Sequence, residues 1–257
     1  TGIVFSSNKN KIVELADSSV VLRTGSVGGG QIVARVGGSM GDLYGQGYVR
    51  APDGQVVYNA STGFALLSTD VVYLGNTIPK GKIGFSNEFQ FKGFRLNLLF
   101  DAQYGAVGHS LTHYKMAEQG KLTKTLPGRY NGITGNGVVY DAVNDKYITN
   151  TTIATDIDEY YRSHFGINNA EGSTFSTDFL KFREARLDYS LNPKLTKKLG
   201  MQRVTVGVYG RDLFIWSDWP AFDPEFGTLS GSDITQGFEV GQFPSTRTIG
   251  FNLVIGL

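Results

Sequence analysis

The chain ends STRTIGFNLVIGL (residues 245–257), and this stretch decides the fold. Ile249, Phe251, Leu253, Ile255 and Leu257 hold alternate positions, with Thr248, Gly250, Asn252, Val254 and Gly256 between them. Period-two alternation sends the two sets to opposite faces of a β-strand. One face is apolar to the end of the chain, and the other is mostly small or polar. A strand of that length and pattern suits the wall of a transmembrane β-barrel. Just upstream, in MQRVTVGVYGRDLF (201–214), Val204, Val206 and Val208 alternate with Arg203, Thr205, Gly207 and Tyr209.

The same pattern is strongest in the middle of the chain. Ile83, Phe85, Phe89 and Phe91 share a face against Gly84, Ser86, Glu88 and Gln90, with Asn87 the exception on the apolar side. After Lys92-Gly93, Phe94, Leu96, Leu98 and Phe100 oppose Arg95, Asn97, Leu99 and Asp101. A two-residue hairpin turn puts Phe91 and Phe94 on one face, so the register is self-consistent. Each arm runs for about ten residues, a membrane-spanning length for a tilted strand, where soluble strands average about five or six. Farther on, Ala185, Leu187 and Tyr189 alternate with Glu184, Arg186, Asp188 and Ser190. The expected lipid-facing set is therefore Phe85, Phe89, Phe91, Phe94, Leu96, Leu98, Phe100, Leu187, Val204, Val206, Val208, Ile249, Phe251, Leu253 and Ile255. The expected lumen-facing polar set is Arg95, Asp101, Arg186, Asp188, Arg203 and Tyr209, better suited to bonding one another than to touching cargo.

Composition agrees with an all-β protein. Hydrophobic residues make up 40% of the 257, charged residues 18%, and there are 34 glycines and 13 tyrosines. This is too apolar and aromatic for disorder. The net charge of +1 offers no argument for nucleic acid. With no cysteine, disulfides and thiolate metal sites are excluded. No apolar run of helical membrane-spanning length appears, and TGIVFSSNKNK at the start lacks the build of a signal peptide.

Counting gives about seven strands, starting near residues 1, 31, 82, 94, 183, 203 and 246, all antiparallel. The connections 38–81, 105–182 and 214–245 then share one side, read as extracellular, while 92–93 and 192–202 are periplasmic turns. The segment 7–30 is long for such a turn. About seven strands cannot close a barrel without leaving an unpaired edge in lipid, so the chain is expected to be part of something larger.

The motifs resemble a known family. FLKFREARLDYSLNPKL (179–195), RVTVGVYGRDLFIWSDWPAFDPEFG (203–227) and the ending GQFPSTRTIGFNLVIGL (241–257) are similar to the C-terminal part of SusC/RagA-like TonB-dependent transporters. NKNKIVEL (8–15), GDLYG (41–45), LGNTIP (74–79) and KGFRLNLLFDAQYG (92–105) fit the same template in order. Two positions depart from it: Asp212, where Asn is usual, and the final Leu257, where most outer-membrane barrels end in an aromatic residue. The resemblance implies a barrel of about 22 strands with an N-terminal plug that, like the earlier strands, would lie outside this chain. It implies uptake of glycans or peptides across the outer membrane of Bacteroidetes. A SusD-like surface lipoprotein would cap the barrel and the TonB complex would supply energy. No cofactor is implied.

Enzymatic readings find little purchase. His109, His113 and His164 fall in the 105–182 connection, and a spacing of four would make a metal pair only on a helix. Following a strand among Ser, Thr and Tyr, the first two read as part of a solvated loop. Asp223 and Glu225 could be paired carboxylates for sugar chemistry, or a turn fixed by Pro224 in which Asp223 binds local amides. No catalytic residue and no metal site is expected. For ligand binding, Trp216, Trp219, Phe222 and Phe226, with Asp223 beside them, form an aromatic stretch that could stack on sugars or peptide side chains. The competing readings are an interfacial aromatic girdle or a contact with the lipoprotein. A passive porin would explain the strands as well, though not the ordered motifs. A soluble β-sandwich adhesin or lectin would need its apolar face covered by a second sheet.

Overall fold

In a computed structural model, residues 1–24, 30–198, 200–225 and 237–256 are described. Gly28-Gly29, Phe226 and Leu257 lie outside them. The framework is one continuous antiparallel sheet of six strands: β1 (Gly2–Ser7), β2 (Gly81–Phe91), β3 (Phe94–Tyr104), β4 (Phe179–Ser190), β5 (Arg203–Ser217) and β6 (Thr248–Gly256). Neighbours in sequence are neighbours in the sheet. β2, β3, β4 and β5 run for 11, 11, 12 and 15 residues, long for strands of a soluble domain.

Register turns the alternation of each strand into two faces of the sheet. On one, Phe89, Leu96, Leu187, Val208 and Phe251 stand in a row across β2 to β6. Phe91, Phe94, Tyr189, Val206 and Leu253 form the next row toward the short turns. Phe85, Phe100, Phe182 and Phe214 form another toward the long connections, with Phe100 and Phe182 stacked at 4.5 Å. Among the described residues no sheet covers this face: Ile249 is 78% exposed and Phe251 83%, and Ile255 stays exposed as well. Phe85, Leu96, Leu98 and Phe100 are half-buried among their cross-strand neighbours. Val204 departs from the expected set: it is buried, where α3 (Pro193–Lys198) lies against β5.

The other face is a lattice of charges. Arg95 pairs with Glu88 at 2.6 Å, Arg186 with Asp188 at 2.8 Å, Arg211 with Glu184 at 2.9 Å and Arg183 with Asp101 at 2.8 Å. Arg203 donates to Thr205 Oγ1 at 3.3 Å, and Tyr209 lies under the Arg211 guanidinium. The expected polar set thus shares one face and is engaged within it. Gly207 sits opposite Asp188 and Asn252, and a β-carbon there would collide with Asp188 Oδ1.

The strand expected from residue 31 lies elsewhere. Gln31–Arg35 pairs with Ser19–Thr24 and Asp42–Tyr48, and Leu67–Asn76 completes this separate sheet. Ile32, Val33 and Ala34 are all buried, so the segment is packed on both sides and cannot line a one-sided wall. Removing it leaves six strands instead of about seven, and 8–80 becomes one connection. The long connections 8–80, 105–178 and 218–247 then leave one end of the sheet (the loop end). Only 92–93 and 191–202 turn at the other.

The long connections fold into a cap. Val138–Asp141 pairs with Val57–Tyr58 and Lys146–Thr149, and Val107–Ser110 pairs with Thr174–Ser176 and Phe238–Glu239. Two helices join them, α1 (Leu111–Glu118) and α2 (Ile157–Phe165), the latter capped by the Asp156 carboxylate on Glu159 N. Tyr58, Ala65, Val139, Ala154, Tyr160 and Tyr161 form one buried cluster, and Ile32, Leu43 and Phe238 another.

Two strands are longer than their alternation suggests, because the register between β4 and β5 shifts at Phe182/Glu184. Opposite that shift Asp212 has φ of +50°, a left-handed backbone that Asp and Asn tolerate and β-branched residues do not. The Asp of GRDLF thus builds a bulge. Asp212→Val should cost about 1–3 kcal/mol and Asp212→Asn or Asp212→Gly far less, measured by equilibrium unfolding. Equal losses for all three would show that the backbone at this position is not what matters.

Candidate functional site

The sheet's polar face at its loop end gathers the densest set of charges. Lys181, on the polar side of β4, is only 4% exposed. Its Nζ donates to both oxygens of Asp223, at 2.6 and 2.8 Å, and contacts Glu225. Arg183 also reaches Glu225, and holds Asp101 and, at 3.6 Å, Asp212. The Phe179 ring lies 4.9 Å from Lys181 Nζ. The segment after β5 is therefore fastened to the wall through the Asp-Pro-Glu of AFDPEFG. Burial alone would raise the Asp223 carboxyl, but Lys181 and the Glu225 amide, which donates to Oδ1 at 2.8 Å, hold it below the ordinary aspartate value. Both carboxylates are engaged by cations, and the local amide contact expected of a turn is present.

The four ligand-binding candidates do not come together. Trp216 lies within β5 on the apolar face, beside Phe214 at 5.9 Å, continuing the aromatic row. Trp219, 7% exposed, turns into the cap and meets Phe175 edge-on at 6.3 Å. Phe222 is 55% exposed and Asp223 is bound by Lys181. Asp223 is held at the polar face with Phe222 beside it, Trp219 belongs to the cap, and Trp216 to the apolar side.

The histidines are not solvated. His109 is buried against Ala170 O at 3.2 Å. His113, also buried, lies within α1, taking Lys124 Nζ on Nε2 at 2.7 Å with Ser173 Oγ 2.9 Å from Nδ1. Since an ammonium only donates, Nε2 must be the unprotonated nitrogen. His164 sits between the Tyr48 and Tyr58 hydroxyls, at 3.1 and 3.4 Å. These rings are cross-links of the cap, and the described residues contain no group of three or more side chains suited to a metal. Burial lowers all three from the ordinary 6.5, to about 4 for His109 and His164 and about 3 for His113.

Sequence reasoning also missed Glu239. Its buried carboxylate accepts from Ser110 Oγ (2.7 Å), Thr112 Oγ1 (2.6 Å), Thr112 N (3.1 Å), Gly241 N (2.6 Å) and Gln242 N (3.1 Å). It closes the amino end of α1, where negative charge is favoured, and ties connection 218–247 to connection 105–178. Lys181, Arg183 and Glu239 carried no sequence signal of these partnerships, which only the fold brings together.

No family model matches the chain. It is 24% identical to TonB-dependent receptor P3 of Formosa agariphila over 98% of its length, covering 26% of that protein. TonB-dependent receptor P26 of the same organism is 26% identical over 98% of the chain, again covering 26% of that relative. In structure it resembles a chain of the RagAB peptide importer in its closed-closed state, with a TM-score of 0.62 and 14% identity. The RagAB peptide transporter gives 0.63 at 14% identity; each match takes in 98% of this chain and 26% of the other. The chain thus spans about a quarter of these proteins' length, and shares the fold of strand-built transporters.

Two outcomes are expected of the cap. Buried histidines that stay neutral when folded favour the folded cap above their unfolded value near 6.5. That contribution falls away as pH drops toward 4, because the unfolded chain takes up the protons first. Amide-exchange protection of 107–118 and 157–165 should be lower at pH 5 than at pH 7.5, and equal protection would contradict it. Glu239→Ala should cost at least about 2 kcal/mol locally, read as roughly 30-fold faster exchange at the Thr112 and Gly241 amides.

Proposed function

We propose that this chain is the C-terminal barrel segment of an energy-coupled outer-membrane importer of oligomeric nutrients, glycans or peptides. The observation that carries the reading is the bare apolar face of the six-stranded sheet. Fifteen-residue and eleven-residue strands hold rows of Phe, Leu, Ile and Val in the open, with aromatic rows toward each end and salt bridges on the reverse. Soluble proteins rarely expose contiguous apolar area on that scale, and a β-sandwich would have covered it. Lipid is the solvent it suits, with the charged face toward a barrel lumen and the long connections outside the cell.

In the whole protein, further strands pair with the open edges of β1 and β6, and a plug domain fills the lumen. A SusD-like lipoprotein docks on the cap, and the TonB complex acts through the part beyond this chain. Similarity to proteins named TonB-dependent receptors supports energy coupling over a passive porin. Peptide is the cargo named for the structural relatives, and it is one of the two cargo classes proposed here. Phe222 and Asp223 would line the cargo's path, Trp219 would brace the cap behind them, and Trp216 would sit in the interfacial girdle. No catalytic role is assigned, in keeping with relatives named as receptors and transporters.

Intact mass spectrometry of detergent-extracted outer membranes tests this. A polypeptide of roughly four times this chain's 28.0 kDa, copurifying with a lipoprotein, is expected. A water-soluble protein of this chain's own size would overturn the reading. Independently, Phe251→Arg on the apolar face should cost about 2–4 kcal/mol of bilayer-folded stability; if that face meets water, the same change will be neutral and will raise solubility.

A further inference from the structure

The segment from Trp219 to Glu225 leaves β5 at the loop end and folds back onto the polar face of β4. We propose that this arm is a latch that exchanges between a docked and a released position, opening and shutting the loop end of that face. Its role as a gate rests on the import reading above; its movement does not.

Four observations support exchange over a fixed brace. Beyond Trp219, which stays packed in the cap against Phe175, the arm is held through Lys181 and Arg183 on Asp223 and Glu225, while Phe222 beside them remains largely exposed. Phe222 has φ of +57°, a left-handed backbone that a bulky residue adopts only under constraint, so docking holds strain that release would relieve. Glu225 N donates to Asp223 Oδ1 at 2.8 Å across Pro224, which keeps the two carboxylates together and lets them leave as a unit. The cations have other partners: Arg183 keeps Asp101 and Asp212 on the wall, and Lys181 keeps the Phe179 face. Arg183 thus keeps carboxylate partners when the arm lifts, and Lys181, uncovered by the same movement, exchanges its carboxylates for water over the Phe179 ring, so both positions are tolerable and the element can be two-state. The same connection is pinned again at Glu239, which limits how far the arm can travel.

The test places nitroxide labels at Ala221 on the arm and Ala102 on the apolar face of β3, in the membrane-reconstituted polypeptide that carries this chain. Pulsed electron resonance then reads their separation. One dominant short distance is expected for the unaltered latch. Asp223→Asn with Glu225→Gln, and separately Lys181→Met, should move most molecules to a distance longer by roughly 10 Å, the reach of about three freed residues. Unchanged heat-dependent gel migration will establish that both variants still form the barrel. An unmoved distance in both overturns the latch. An arm that moves while uptake of a labelled oligopeptide stays the same overturns its role as a gate. Absence of uptake in the unaltered protein overturns the import reading and leaves the distance result standing.

Discussion

Everything in this molecule depends on the unbroken antiparallel ladder that runs from Gly2 to Gly256. Because side chains alternate, one choice of register fixes which residues face each way on all six strands. A slip by one residue between β3 and β4 would bring Arg186 and Asp188 into the row of Leu96 and Phe89. The strong contrast between Phe or Val on one face and Arg, Asp or Glu on the other makes that slip very unfavourable. The ladder therefore gains its definition from composition as much as from hydrogen bonds.

Where the two faces meet irregularity, the sequence changes character. At the β4–β5 shift a left-handed Asp212 and the neighbouring Arg183 interrupt the alternation, and Lys181 falls on the polar side while Phe182 stays on the apolar side. This single adjustment lets aromatic residues continue the apolar row up to Trp216 while two cations gather opposite. The bulge thus sets both the apolar aromatic band and the charge cluster that receives the Asp-Pro-Glu segment.

Much of this was legible from residues alone, for physical reasons. The β2–β3 hairpin announces itself because Lys92 and Gly93, at φ of +46° and +89°, form a two-residue turn flanked by strict alternation. Strands β4 and β5 were legible only in part, since alternation stops at the bulge and resumes out of phase. Gln31–Arg35 misled in the opposite way: three consecutive buried apolar residues fit a strand packed on both sides, and their lack of alternation was the warning. The cap was least legible. Its histidines sit in polar, aperiodic sequence, and only tertiary neighbours such as Ser173 and Tyr48 reveal that they are buried. One local signal did exist, Asp156 three residues before Glu159, the usual opening of a helix. Within the candidate site, Asp223 and Glu225 stood out in the sequence, while their partners on β4 could be found only from the fold.

The apolar clusters of the cap draw on the connections, and the wall contributes little to them. Tyr58, Val139 and Tyr160 close on one another, as do Leu43 and Phe238. Such an arrangement separates inheritance of the two parts. Connections can be lengthened, exchanged or rewritten by mutation while the ladder beneath keeps its register. A lineage could thus diversify what its members recognise at the surface while retaining a nearly constant wall, and divergence among relatives should concentrate in residues 8–80 and 105–178.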